Sequence, residues 1–350
     1  MSSALPYPPY QTSKQHSNYK PEFTLDAQRC RIYTYLKSTE FQIEGANMKI
    51  REDLFAGHEC IKIENESLAA WILKSRGPRI IGLALKGRHN LLAELPDARL
   101  ELPGNKYYSL IGGHRLWYAP EDPTRTYLPD DKPVQIIELE YGVLIIQPVE
   151  EETGIQKSIT LILPDESPHM VVDHKLTNQG DREIILAPWA ITMVKPGGFA
   201  ILPQPSVPSD PFGLLPNRAV ALWTYTDIRS EHILWGNRFI FIRANMQEGA
   251  LKVGFPNPAG WMGYLLENAL FIKYAEYNPE KVYYDRGSSS ECYCNPGTLE
   301  LETLGPRTNL SPAESVFHRE EWKVFAGISC EPDEKEIGKW IDKLRIENDI

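Results

Sequence analysis

The chain has 350 residues, 37 of them Lys or Arg and 47 Asp or Glu, for a net charge of −10. That acidic balance argues against nucleic acid or an anionic membrane as a main partner, and no apolar run approaches the roughly 18 residues of a membrane span. Five cysteines without regular spacing suggest no disulfide framework, and the N-terminus lacks a basic stretch followed by an apolar one, so the expected setting is the cytoplasm.

Residues 1–47 are rich in Pro, Ser, Gln and Tyr as far as Pro21 and read as an N-terminal extension, partly disordered or loosely docked. Arg31–Leu36 could form one strand, and Met48 could serve as an alternative start. A domain is expected over 48–350. From Glu59 onward, short runs rich in Ile, Leu and Val are punctuated by Gly, Pro and Asn, which is the pattern of an antiparallel meander. They are Cys60–Glu64, Leu68–Leu73, Arg79–Leu85 and the short His89–Glu94. Residues 107–131 contain Gly112-Gly113 and Pro120, Pro123 and Pro129, and read as a long ordered loop. Strands resume over Val134–Glu140, Val143–Val149, Ile155–Leu163, His169–Leu176, Glu183–Ala187 and Ala187–Val194. Asn178-Gln-Gly-Asp181 reads as a hairpin turn. Five prolines between Leu202 and Asn217 exclude a regular element. Later strands are expected over Ala219–Tyr225, Phe239–Arg243, Ala250–Phe255, Trp261–Leu266, Leu270–Tyr277, Val282–Asp285, Glu291–Cys294, Thr298–Leu304 and Ser315–Phe325. Only Pro332–Ile346 has helical period, with Ile337, Trp340, Ile341 and Leu344 on one face. The fold class is all-β, with two large stacked antiparallel sheets and a C-terminal helix.

The most informative stretch is Leu299-Glu-Leu-Glu-Thr-Leu-Gly-Pro306. Alternate side chains of a strand share a face, so Glu300 and Glu302 point one way and Leu299 and Leu301 the other. Paired carboxylates repel and raise one another's pKa. Such a face either meets water or uses its acids. Glu291, on the preceding strand, could complete a cross-strand carboxylate pair suited to acid–base work at a sugar. Cys292 and Cys294 share a face and read as two free thiols.

Three stretches resemble the galactose mutarotase-like (aldose 1-epimerase-like) superfamily. HKLTNQGDREIILAPWAITMVKPGG is similar to its central strand–turn–strand, LELETLGP followed by Leu310-Ser-Pro-Ala-Glu314 to its late Leu-Glu-Thr strand and turn, and GGHRLWYAPED to its early Gly-Arg block. The likeness covers roughly 48–328, and is nearest to an uncharacterised branch carrying Gly-Gly-His-Arg-Leu-Trp. It implies a β-supersandwich with a carbohydrate groove across one sheet. It also implies that Glu302 stands at the position of the general base and Arg115 at that of the substrate arginine. The sequence departs at the acid: where the epimerases carry Thr-Asn-His, it has Ala187-Pro188-Trp189.

His114 or His174 could supply the acid instead, since imidazole titrates near neutrality. Adjacent residues on an extended chain point oppositely, so His114 and Arg115 are not both expected in the groove. Arg115 offers a planar fork to hydroxyls or a carboxylate, or else pairs with Glu121 or Asp122. Trp117, Trp189 and Trp261 are candidate stacking platforms for a sugar or core residues. Lys252 and Lys273 could bind an acidic sugar. Neither a metal nor an organic cofactor is implied. The expected function is carbohydrate binding, with epimerisation through Glu302. The alternatives are a non-catalytic sugar sensor and a polysaccharide lyase or hydrolase. The expected partner is a small sugar or oligosaccharide.

Overall fold

Alternating and continuous apolar runs closed by Gly, Asn and Pro fold here into two large antiparallel sheets. A computed structural model describes residues 48–102, 106–164, 166–344 and 346, with Lys106 by its backbone alone. The extension over 1–47, with its Arg31–Leu36 segment, lies outside the described residues. In chain order the strands are β1 (Lys49–Phe55), β2 (His58–Glu64), β3 (Leu68–Leu73), β4 (Arg79–Leu85), β5 (Glu94–Leu102), β6 (Lys106–Gly112), β7 (His114–Ala119), β8 (Gln135–Leu139), β9 (Gly142–Ile146), β10 (Ile155–Ile162), β11 (His169–Asn178) and β12 (Ile184–Val194). They continue with β13 (Phe199–Pro203), β14 (Ala221–Leu222), β15 (Ile233–Trp235), β16 (Phe239–Arg243), β17 (Leu251–Phe255), β18 (Trp261–Leu266), β19 (Ala269–Ala275), β20 (Ser290–Asn295), β21 (Thr298–Leu304), β22 (Thr308–Leu310) and β23 (Ser315–Ala326). The helix α1 (Glu334–Leu344) follows.

Sheet one has 11 strands, ordered β1-β2-β3-β4-β7-β12-β21-β20-β17-β14, with β22 also paired to β12. Sheet two has 10, ordered β15-β16-β13-β18-β19-β23-β11-β10-β9-β8. The strands β5 and β6 form a separate hairpin. Between the two sheets lies one apolar layer that includes Ile80, Leu116, Val172, Leu186, Leu299, Leu301 and Val324. Burying such side chains, at roughly 1.5–3 kcal/mol each, is the main force holding the sheets face to face. The other face of sheet two is covered by α1, whose Ile337 and Ile341 pack with Phe199, Phe241, Trp261 and Ile272. Asp333 caps that helix: its Oδ1 accepts from the N–H groups of Lys335 and Glu336, both at 2.9 Å.

Several sequence expectations are revised. Asn178–Asp181 is not a hairpin turn, because β11 belongs to sheet two and β12 to sheet one; the segment carries the chain between sheets. Asn178 fixes that passage: its Nδ2 donates to the carbonyls of Arg182 (2.8 Å) and Leu310 (2.9 Å), and its Oδ1 accepts from the Gly180 N–H (3.0 Å). The 107–131 block is a loop only in its second half, since it opens with β6 and β7. The glycine pair between those strands has positive φ, +92° at Gly112 and +72° at Gly113. A Cβ at Gly113 would lie 2.2 Å from the Ile80 carbonyl oxygen. The strand expected over Val282–Asp285 is instead irregular and turn structure, and that over Ala219–Tyr225 shrinks to β14. Among the described residues, no helix is long and apolar enough to cross a membrane.

Candidate functional site on the outer face of sheet one

Register places the candidate residues. Arg115 on β7 stands opposite Ile191 on β12, which stands opposite Glu302 on β21, then Glu291 on β20, then Gly254 on β17. The neighbouring row runs Met193, Glu300, Tyr293, Lys252. Directly paired residues share a face, and Leu299 and Leu301 alternate into the inter-sheet layer. Arg115, Glu291, Glu300, Glu302 and Lys252 therefore meet on the face of sheet one turned away from sheet two.

Lys252 is the hub of this face. Its Nζ lies 2.7 Å from Glu291 Oε2 and 2.8 Å from Glu302 Oε2. The ammonium also sits 4.8 Å from the Trp189 ring and 4.7 Å from the Trp223 ring, a cation held between two indoles. Burial opposes its charge, but the carboxylates of Glu291 and Glu302 outweigh that and hold Lys252 well above its ordinary value. The Glu291 carboxyl is pushed well up, by burial first and then by the charges of Glu302 and Asp285 against the pull of Lys252. Glu300 is raised in the same sense by burial, against the pull of Arg115. The Trp189 Nε1–H donates to Glu302 Oε2 at 2.6 Å. Thus an indole N–H reaches the carboxylate from the Ala187-Pro188-Trp189 position.

Arg115 lies with its guanidinium 4.2 Å from the Trp117 ring. Its Nη1 donates to Met193 Sδ (2.8 Å), and its Nη2 is 3.6 Å from Glu300 Oε2. The alternative partner for Arg115, Glu121 or Asp122, is thus replaced by Glu300. The Trp117 and Trp189 rings pack edge to face at 5.4 Å, and Trp117 Nε1–H donates to the Tyr108 hydroxyl (3.0 Å). Arg79 anchors that tyrosine. It is fully buried, donates to the Tyr108 hydroxyl (2.8 Å) and the Leu110 carbonyl, and forks onto Asp130 at 2.7 and 2.9 Å. One buried arginine thereby ties the β5–β6 hairpin and the 120s loop to the floor of the face.

A strap between β14 and β15 covers the Lys252 end. Thr226 Oγ1–H donates to the Lys252 carbonyl (3.0 Å) and accepts its N–H (2.8 Å), and Tyr225 packs edge to face on Tyr293 at 6.3 Å. Beneath this cover Arg115 is 3% exposed and Glu302 1%. The buried polar atoms of the face without a hydrogen-bond partner among the described residues include Arg115 Nε, Glu302 Oε1 and Glu291 Oε1, and Glu291 Oε2 has only its ion-pair contact with Lys252. An unmatched donor and an unmatched acceptor on one surface suit a hydroxylated ligand, because a buried polar group left unpaired costs about 1–3 kcal/mol.

No family model matches the sequence, and no curated relative does either. Solved structures do match the fold. A TPR-domain containing protein from Parabacteroides distasonis aligns at TM-score 0.55 and 14% identity over 78% of this chain. This chain spans only 48% of that protein's length. A galactose mutarotase-like protein from Lactobacillus casei aligns at TM-score 0.51 and 12% identity, over 76% of this chain and 100% of that one. A Klebsiella pneumoniae protein provisionally named an aldose 1-epimerase aligns at TM-score 0.50 and 10% identity, over 89% of this chain and 90% of that one. The chain has the galactose mutarotase-like fold.

On this mutarotase-like sheet the two histidines offered as candidate acids lie on its other side. His114 and His174 are fully buried between the sheets. Their protons can be assigned from the bonds they make. His174 Nδ1–H donates to the His318 carbonyl (2.8 Å), leaving His174 Nε2 to accept from His114 Nε2–H (2.7 Å); His114 Nδ1 then accepts from the Thr192 hydroxyl (2.9 Å). Lys273 completes the layer, donating to Thr192 Oγ1 (2.9 Å), the Leu301 carbonyl (3.0 Å) and Glu320 (2.9 Å). His114, His174 and Lys273 are therefore core residues bonded to one another's neighbours, not groove residues. Lys252 reaches the face, but between two carboxylates, so neither lysine is free to bind an acidic sugar. Of the two alternatives for Trp261, the core position holds: it lies in the apolar layer under α1.

One set of side chains among the described residues could hold a metal ion: His114, His174 and Glu320, whose ligand atoms lie within 4.8 Å of one another. Their hydrogen bonds are already satisfied, and the Lys273 ammonium occupies the cation position beside Glu320. Cys292 and Cys294 face the inter-sheet layer as free thiols, Cys294 pushed up to about 12 by burial. The sequence missed Lys252 as a counterion and Trp223 as its cover. For Lys252 the available signal was its position between Leu251 and Val253, which alternates it onto the polar face.

Proposed function

We propose that this chain binds a sugar across the outer face of sheet one and interconverts its anomers, with Glu302 as general base. The observation that carries the reading is the register of Glu302 with Arg115 on one face of a mutarotase-like sheet. Trp117 and Trp189 offer apolar rings to a sugar's C–H face. Glu302 Oε2 is held by Lys252 and Trp189 while Oε1 remains open to take the anomeric hydroxyl proton. Glu291, whose carboxyl is pushed well up by burial and by the charge of Glu302 against the pull of Lys252, is the group placed to give a proton to the ring oxygen as the C1–O bond opens; rotation and reclosure on the other face return both protons. With Glu302 so nearly sealed, sugar entry displaces the Trp223–Tyr225 strap. Residues 48–350 act as one domain in this reading, with 1–47 as an extension. The free thiols among the described cysteines support a cytoplasmic, reducing setting.

A second reading, sugar binding without chemistry, is favoured by Trp189 at the position where the epimerases carry histidine. Anomeric exchange followed by NMR separates the two. Accelerated exchange with wild type that Glu302→Gln removes, a loss of at least about a hundredfold, supports the catalytic reading. Sugar-induced line broadening with no exchange supports the binding reading.

A further inference from the structure

We infer that the groove selects its ligand by charge, taking an amino sugar ahead of the neutral sugar and disfavouring phosphorylated or carboxylated ones; this rests on the sugar-binding reading above. The two cations of the face described above each stand beside a carboxylate. Lys252 is shared by Glu291 and Glu302, and Arg115 faces Glu300. Against these two stand the carboxyls of Glu300, Glu302 and Asp285 on the face, with Glu291 serving as the proton donor of the reading above and Glu121 bonded to the Tyr127 hydroxyl at its margin. The acids therefore outnumber these cations, and each cation already stands beside a carboxylate, although Arg115 keeps an unmatched Nε.

The second, independent observation is the unmatched Glu302 Oε1, on a side chain 1% exposed. Glu300, 8% exposed, lies one step along the same strand face. An ammonium supplies three donors and a positive charge to such a pair, where a hydroxyl supplies one donor. An anion placed there meets like charge in a poorly hydrated site, a juxtaposition that burial makes worse. Glu291 and Asp285 are both shifted upward, by burial first; Lys252 pulls both back, and the charge of Glu302 pushes both up. A bound cation adds to the pull of Lys252, so amino-sugar binding releases protons.

The test is calorimetric titration of the full chain at low salt with glucosamine, glucose, glucose 6-phosphate and glucuronate, and with the corresponding galactose series. In the series that binds, the amine is expected to bind at least about fivefold tighter than the neutral sugar, and each acid at least about fivefold weaker, the size of one partly screened ion pair. Glu300→Gln should shrink the amine-to-neutral ratio toward one, and binding heats in two buffers should show proton release. Acids that bind as tightly as the neutral sugar would overturn the charge inference and leave sugar binding standing. Silence from every sugar in both series would overturn both.

Discussion

Removing the ammonium of Lys252 leaves Glu291 and Glu302 facing each other in a site where neither is more than 1% exposed. Breaking a buried pair from one side costs about 3–5 kcal/mol. Lys252→Met is therefore expected to lower the urea midpoint by an amount of that order, and adding Glu291→Gln and Glu302→Gln should recover most of it. If the single variant were as stable as wild type, the face would be hydrated and Lys252 would not be its hub. At this scale the sequence was legible where one strand suffices. The alternation of Leu299-Glu300-Leu301-Glu302 assigned both faces of β21, and the adjacency of His114 and Arg115 put them on opposite sides. It was illegible where a partner stands on another strand. Nothing near Lys252 in the chain announces Glu302, 50 residues on; cross-strand register creates that pair. His174 was unreadable for the same reason, since its bond to His114 crosses between sheets.

Elements were legible in proportion to how local their signal is. The helical period of Pro332–Ile346 gave α1 and its buried face correctly, because Ile337 and Ile341 lie one turn apart. Truncation there tests whether α1 is only a cover for sheet two. Ile337→Ala should cost about 2–5 kcal/mol in denaturant unfolding while the sugar affinity proposed for the face of sheet one stays unchanged. A parallel loss of affinity would show that the helix supports the groove. The missed elements have a common cause. The sequence motif around Asn178 reads as a tight turn either way, and only tertiary packing decides whether the chain returns to its own sheet or leaves for the other. β6 and β7 were hidden by Gly112-Gly113, whose positive φ separates two short strands inside what reads as one loop.

The molecule as a whole should be sensitive to acid through the layer between its sheets. His174 and His318 are held down at about 3, by burial first, and His114 well below its ordinary value by burial and then by the charge of His174. Lys273 and Glu320 face them from sheet two. A folded value below the unfolded 6.5 means the unfolded chain takes up the proton first. The contribution to stability is complete above about pH 6.5 and falls as pH drops toward 3, by up to about 1.4 kcal/mol per pH unit for each histidine. Buried Glu291 and Glu300, shifted upward, pull the other way, so the histidines are best followed directly. Their ring resonances should stay in the neutral form from pH 8 to 5, and a His174 that titrates near 6.5 would show that the layer admits water. The strand order of sheet one carries a separate consequence. Its central strands β7, β12, β21 and β20 are drawn from residues 114–119, 184–194, 298–304 and 290–295. During synthesis β7 and β12 can pair early, yet β12 keeps a bare edge until Thr298–Leu304 leaves the ribosome. An unpaired hydrophobic edge invites other chains, and distant pairings close slowly. The strand that brings Glu302 to the site is thus the strand that ends the nascent protein's exposure to aggregation.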